Sequence, residues 1–281
     1  MNPQSFVEQA LFSTVRIELF DHADKLTGVA TGFLLKADIP NEPNQALILL
    51  ISNKHVFAGS QKFDVSFHRK DRGTDVPNLG HTLPVKFSST GPGFCAHSNP
   101  KVDLACVNLS FAFAEMMPII YYKWLDKNLF ATFSEPELDL GQRVVFVGYP
   151  ENRFDQKHNL PILRSGTIAS HPKVDFNGES QFIIDAQVFP GSSGSPVFLN
   201  VKEAQFNRGV IQVGGGAPYL FLGVVSSTMI RNNTVDFLPT QLTPSTQEVI
   251  GLGLVFKANA VKELIDQAID GYLNFRTASG A

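Results

Sequence analysis

The chain has 281 residues, 43% of them hydrophobic and 17% charged, which excludes a disordered chain and leaves room for one large domain or two small ones. A net charge of −3, with no basic run denser than His68-Arg69-Lys70-Asp71-Arg72, excludes a nucleic-acid footprint. No stretch approaches the apolar length of a membrane-spanning helix, and the first twenty residues lack the charged, apolar and small-residue regions of a signal peptide. A cytoplasmic protein with no membrane partner is expected.

Taken in order, Val7–Leu11 reads as a short helical entry and Ser13–Phe20 alternates like a half-buried strand. Thr27-Gly28 reads as a turn and Ala30–Leu35 as the next strand. After a Pro/Asn-rich loop from Ile39 to Asn44, the unbroken apolar run Ala46–Ser52 suits a strand buried on both faces, ending at Asn53-Lys54-His55-Val56. Further strands are expected at Phe63–His68, Leu83–Phe87 and Asp103–Leu109, and a short helix at Phe111–Met117. The irregular stretch from Lys123 to Asp139 divides the chain into two halves, 1–125 and 126–281. Strands follow at Arg143–Gly148, Ile162–Ile168, Gln181–Val188, Pro196–Leu199, Tyr219–Ser226 and Gly251–Phe256. Many short strands at even spacing point to all-β barrels or sandwiches, with the 24 phenylalanines as core filling. Asn259 is positioned to cap a closing helix whose apolar positions Val261, Leu264, Ile265, Ala268 and Ile269 recur at helical spacing. Gly214-Gly215-Gly216 lacks the lysine and spacing of a phosphate loop.

One stretch carries chemistry. In Pro190-Gly191-Ser192-Ser193-Gly194-Ser195-Pro196, two glycines bracket Ser193 and a proline follows. This is the composition of a tight turn that aims amide hydrogens and one hydroxyl into a common space. A serine hydroxyl attacks only if a positioned base takes its proton. His55, directly after the apolar strand, is the candidate base. Asp103, heading a mostly apolar strand where an acid is costly to bury alone, is the carboxylate that would orient it. His22, His68, His81, His97, His158 and His171 are read as solvent-exposed, and no metal site or cofactor is expected because neither an H-x-x-x-H pair nor a cysteine cluster occurs. Cys95 and Cys106, the only cysteines, are expected to be reduced, although a disulfide between them would close a short loop.

The order His55, Asp103, Ser193 resembles that of the chymotrypsin-like or trypsin-like serine peptidases. Ser52-Asn53-Lys54-His55-Val56 is similar to the histidine box of the glutamyl endopeptidases and the high-temperature-requirement (Deg) proteases, and Thr31-Gly32-Phe33 to the strand before it. Asp103-Leu104-Ala105 resembles their aspartate box. "GQRVVFVGYP" (141–150) and "RSGTIAS" (164–170) look like strands of their second barrel, Ile184-Asp185-Ala186 leads into a similar nucleophile loop, and Gly223-Val224-Val225-Ser226 resembles the strand beside the primary pocket. Gly251 to Ile265 is similar to their last strand and C-terminal helix, so the likeness runs from Val15 to Leu273.

The resemblance implies two six-stranded antiparallel β-barrels with a C-terminal helix and an active site in the cleft between them. It also implies a serine endopeptidase working through an acyl-enzyme on a protein or peptide substrate. His55 and Asp103 would come from the first barrel and Ser193 from the second, with the amides of Gly191 and Ser193 as oxyanion hole. Ser226 would bond Asp103 and offer its carbonyl to substrate backbone. Gln187, Val188, Phe189, Val225, Ser227 and Thr228 would line the primary pocket, which without an acid at its base would favour a small or medium apolar side chain. The absence of a cysteine beside His55 favours a bacterial-type relative, an Ile-Val-Gly-Gly start is missing, and no PDZ domain is expected after the helix. The stretches Asn200–Pro218 and Met229–Thr246 are read as lengthened loops able to dock a protein activator. Two rival readings are a catalytically silent module that kept the fold and an esterase using the same triad.

Overall fold

The computed structural model of the chain describes all residues except 59, 61, 92, 201–204, 208–209, 213–218, 235–244 and 280–281, and describes only the backbone at 205–207, 210–212, 228, 230–234, 245–249 and 279. Helix α1 (Phe6–Ser13) opens with a reciprocal capping box, in which Ser5 Oγ accepts the Glu8 N–H and the Glu8 carboxylate accepts the Ser5 N–H. It leads into β1 (Thr14–Phe20), whose alternation pairs it antiparallel with β2 (Leu26–Asp38). The reversal between them falls at Asp21–Lys25, before Thr27-Gly28. Asp21 Oδ1 accepts the N–H groups of Ala23 and Lys25, both at 2.9 Å, so an aspartate side chain closes the turn and Gly28 simply continues β2.

The apolar run Ala46–Ser52 forms β3, buried on both faces, followed by the one-turn helix α2 (Lys54–Phe57). Next come β4 (Lys62–Lys70), β5 (Pro77–Ser88), β6 (Phe94–Ala96) and β7 (Ala105–Asn108), then α3 (Ser110–Met116), β8 (Ile120–Tyr121) and β9 (Leu125–Asp126). These nine strands make one sheet in the order β5-β4-β1-β2-β3-β7-β6, with β8 on β4 and β9 on β2. The ladder does not close into the six-stranded barrel expected. β5 and β6 are both edges, because β6 is only three residues long and the Gly-rich stretch before it favours turns over ladder.

The second half does close. β10 (Arg143–Gly148), β11 (Ile162–Ile168), β12 (Gln181–Asp185), β13 (Pro196–Asn200), β16 (Tyr219–Thr234) and β17 (Ser245–Lys257) form a barrel ordered β10-β11-β12-β17-β16-β13, with β14 (Gln205–Asn207) and β15 (Val210–Gln212) as a separate hairpin. Part of Met229–Thr246, read as a lengthened loop, is instead ladder: Ile230 to Thr234 pair with Val249 to Ser245, so the partner strand supplies what propensity does not. Residues 201–204, 208–209 and 213–218, which include the Gly214 run, and residues 235–244 lie outside the described residues.

Helix α4 (Ala258–Ser279) starts directly from β17, so Asn259 stands in its first turn rather than at its cap. Its buried stripe of Val261, Leu264, Ile265, Ala268 and Ile269 enters a core that also holds Phe33, Leu35, Leu49 and Cys106 of the first half and Val145, Val147, Phe198 and Phe221 of the second. The fully buried Leu264 alone is worth about 2–5 kcal/mol against truncation to alanine. The two halves are thus held by one shared apolar layer. Each half has a further core of its own.

Two of the histidines read as exposed are buried. His68 Nε2–H donates to the His158 carbonyl at 2.8 Å while Phe12 packs edge-on against its ring. His97 Nδ1 accepts the Asn99 N–H at 3.1 Å, and its Nε2 lies 3.2 Å from Glu263 Oε2 without the alignment of a hydrogen bond. One ring nitrogen of each finds a partner, the His158 carbonyl for His68 and the Asn99 amide for His97, which local polarity does not reveal.

Candidate active site

β3 delivers Ser52 and Asn53 to the edge of the core, and α2 then presents His55. The loop after β6 brings Asp103 against this turn from the other side. Asn53 Nδ2 donates to the Asp103 carbonyl at 2.7 Å and the Lys54 N–H reaches the same oxygen at 3.4 Å. The Asp103 carboxylate is shared. Oδ1 accepts the His55 backbone N–H at 3.0 Å, and Oδ2 lies 2.5 Å from His55 Nδ1 and accepts Ser226 Oγ–H at 3.2 Å. Burial pushes this carboxyl up, but the His55 side chain and backbone and the Ser226 hydroxyl outweigh it and hold Asp103 below the usual carboxylate range. An anion at this oxygen keeps the imidazole proton on Nδ1 and leaves Nε2 as the free base. The His55 side chain is about half exposed, at 52%.

On β16, Ser226 also contributes its carbonyl, which accepts the Ser193 hydroxyl at 2.9 Å. His55, Asp103, Ser226 and Ser193 are therefore linked in one bonded series drawn from both halves of the chain. Around Ser193 the backbone takes conformations that side chains resist. Gly191 and Gly194 have φ of +87° and +88°. A Cβ at Gly191 would stand 2.6 Å from the Tyr149 carbonyl, and one at Gly194 would run into the Thr31 carbonyl and Ser52 Oγ. The Pro190 carbonyl accepts the Glu151 N–H at 2.6 Å, so across that trans peptide the Gly191 N–H faces the opposite way. Among the described residues, neither the Gly191 nor the Ser193 N–H donates to another group of the protein.

The loop is held from the first half by Thr31 on β2. Its N–H donates to the Ser193 carbonyl at 3.1 Å, its hydroxyl donates to the Gly191 carbonyl at 2.7 Å and accepts the Tyr149 N–H at 3.0 Å, and its own carbonyl accepts Ser52 Oγ–H at 2.7 Å. Sequence reasoning gave Thr31 no role. The available signal was a lone hydroxyl amid Ala30, Phe33, Leu34 and Leu35, which has to find partners once buried.

The family pattern of the trypsin-like peptidase domain matches residues 30–204, more than half of the chain and a span that holds His55, Asp103 and Ser193. The chain belongs to the trypsin-like peptidase domain family. No curated protein sequence matches it. Among solved structures, the Rv3671c protease of M. tuberculosis in its active form is similar at 19% identity, covering 95% of this chain and 88% of that one with a TM-score of 0.49.

In this trypsin-like peptidase, the residues assigned to a primary pocket are distributed unevenly. Gln187 and Ser227 are exposed and Phe189 is half-buried. Val188 and Val225 lie inside the barrel core, at 1% and 0% exposure. The Thr228 side chain lies outside the described residues. Arg164, which sequence reasoning passed over, stacks on Phe189 at 4.9 Å and faces Phe146 at 5.5 Å, with its Nη1 buried and unbonded among the described residues. Its stack rests on the turn that leads to Ser193, closed by the Ser192 N–H on the Phe189 carbonyl at 3.0 Å. Among the described residues no three His, Cys, Asp or Glu side chains are grouped to hold a metal ion, and no helix is long and apolar enough to cross a membrane.

Proposed function

We propose that this trypsin-like peptidase is a serine endopeptidase in which Ser193 is the nucleophile, His55 the general base and acid, and Asp103 the orienting anion. The observation that carries the reading is the bonded series His55–Asp103–Ser226–Ser193, set beside two amides, of Gly191 and Ser193, that have no partner among the described residues. In the resting arrangement the Ser193 hydroxyl bonds Ser226. Attack requires the hydroxyl to leave Ser226 for His55 Nε2 by rotation about its Cα–Cβ bond, and sites without substrate commonly hold their catalytic bonds long or misaligned. His55 then takes the hydroxyl proton as Oγ attacks the substrate carbonyl, and the oxyanion forms against the Gly191 and Ser193 amides. Collapse of the intermediate releases the amine with the proton from His55, and water repeats the sequence to free the acyl group.

The two halves, 1–125 and 126–281, act as a first barrel-like body carrying base and acid and a second carrying the nucleophile. A small or medium apolar side chain is the preferred residue before the cleaved bond, since neither Gln187 nor Ser227 supplies a charge to a basic or acidic one. A protein activator is assigned to the segments Asn200–Pro218 and Met229–Thr246. The deciding experiment is labelling by a fluorophosphonate probe. Wild type is labelled and Ser193→Ala is not, with loss of peptide cleavage on the order of 10⁶-fold. A folded wild type that resists the probe would return the chain to the silent-module reading, and labelling with ester but no peptide turnover would make it an esterase.

A further inference from the structure

The hairpin that presents Asp103 carries both cysteines at its base. Asn108 N–H donates to the Gly93 carbonyl at 2.8 Å and His97 N–H to the Leu104 carbonyl at 2.9 Å, and the register pairs Cys95 with Cys106 midway between them. In an antiparallel ladder, bonded pairs alternate every second residue, so Cys95 and Cys106 are themselves a bonded pair with α-carbons about 5.5 Å apart and side chains on one face. A disulfide requires α-carbons about 4.4–6.8 Å apart. Both thiols are free.

Their surroundings differ in a useful way. Cys106 is fully buried in the layer shared with α4. Cys95 is half-buried and opens on a groove of about 730 Å³ between the hairpin and α4, where Gly271 leaves open space. Facing Cys106 across the ladder, the Cys95 thiol comes down to about 7 against the effect of burial, whereas Cys106, fully buried beside it, is pushed well up. The accessible sulfur is therefore the one that forms a thiolate.

We propose that Cys95 and Cys106 form a reversible disulfide across β6 and β7 by exchange with a low-molecular-weight disulfide such as oxidised glutathione, and that this bond clamps the hairpin presenting Asp103. The Cys95 thiolate attacks one glutathione sulfur, forming the mixed disulfide and releasing a glutathione thiolate. The mixed disulfide leaves the Cys95 sulfur facing Cys106 across the ladder. Cys106 then gives its proton to a departing glutathione thiolate and attacks the Cys95 sulfur. Two protein thiols are oxidised and one glutathione disulfide is reduced to two thiols. The β-carbons of a facing pair, about 4.5–5.5 Å apart, must close to about 3.5–4.5 Å, so the crosslink tightens the ladder and stays reducible. The loop from Ala96 to Ala105 is already tied to α4 through Ser98 and Gln267, with bonds of 2.8 and 3.0 Å, and the clamp fixes its other end.

The test is a titration of the full chain with glutathione redox buffers, read by intact mass, thiol count and thermal melting. The expected product at an oxidising poise is a monomer lacking two hydrogens and both thiols, without bound glutathione and with a raised Tm. Cys95→Ser should lose the reaction and the Tm shift. Cys106→Ser, where folded by circular dichroism, should trap a glutathione adduct on Cys95. Both thiols remaining free, a wild type that stops at the glutathione adduct, or crosslinking only between chains would each overturn the disulfide, and an unchanged Tm in the oxidised monomer would overturn the clamp. The chemistry reads the same in Ser193→Ala, so its outcome is separate from that of the peptidase reading.

Discussion

Replacing Thr31 by valine keeps the shape of a fully buried side chain and removes only its hydroxyl. That hydroxyl makes two bonds, one to the Gly191 carbonyl at 2.7 Å and one from the Tyr149 N–H at 3.0 Å. At about 0.5–1.5 kcal/mol net for each hydrogen bond, the loss is about 1–3 kcal/mol. Gly191 belongs to the turn whose amide is assigned to the oxyanion. If the whole loss appears in the transition state, kcat falls about 5- to 150-fold, less than the 10²–10³-fold typical of deleting a donor outright. KM should change little, because the hydroxyl touches the loop and not the substrate. Thr31→Ser restores the bonding and should return kcat to near wild type. The assay is peptide turnover together with the second-order rate of fluorophosphonate labelling, with thermal melting as the folding control. A folded Thr31→Val with wild-type kcat, or a Thr31→Ser as impaired as the valine, would show that Thr31 does not position the turn.

Asp103→Asn should lower kcat on the order of 10⁴-fold, because an amide N–H facing His55 Nδ1 moves the ring proton to Nε2, where it blocks acceptance from Ser193; imidazole NMR shifts would report the tautomer alongside the rate. Stability should fall as pH drops below 6.5. Burial lowers the pKa of His68 beneath that value, so the unfolded chain binds the proton first, and stability is complete above 6.5 and lost on the way down to the folded value. Urea unfolding between about pH 7.5 and 5.5 should show this slope, and His68→Gln, which keeps a donor for the His158 carbonyl, should flatten it; burial lowers His97 in the same sense and leaves a residual slope. A wild type equally stable across the window would refute the assignment.

How much of this was legible in the sequence differs by element. The Ala46–Ser52 strand and the α4 stripe were readable because a long apolar run and a helical period each have one good packing solution. The turn from Pro190 to Pro196 was readable because its glycines answer to backbone conformation, which is local. The Asp21 turn, the ribbon continuing past Ser226 and the burial of His68 were not, because each depends on a partner far along the chain or on a side chain substituting for a backbone bond. The open edge between β5 and β6 was hidden for the same reason: closure is a property of the whole ladder. For the candidate site, His55, Asp103 and Ser193 could be singled out by residue type and order, whereas Thr31 and Glu151 act through bonds to a loop that is distant in sequence.

Helix α4 is translated after every strand it covers, yet it supplies one wall of the layer joining the halves and a brace for the loop that bears Asp103. A nascent chain still lacking it would expose that apolar layer and leave the aspartate loop without its support. Assembly of the site is thereby deferred until synthesis has passed the helix, and a polypeptide interrupted upstream would be a sticky, inactive fragment instead of an unregulated enzyme.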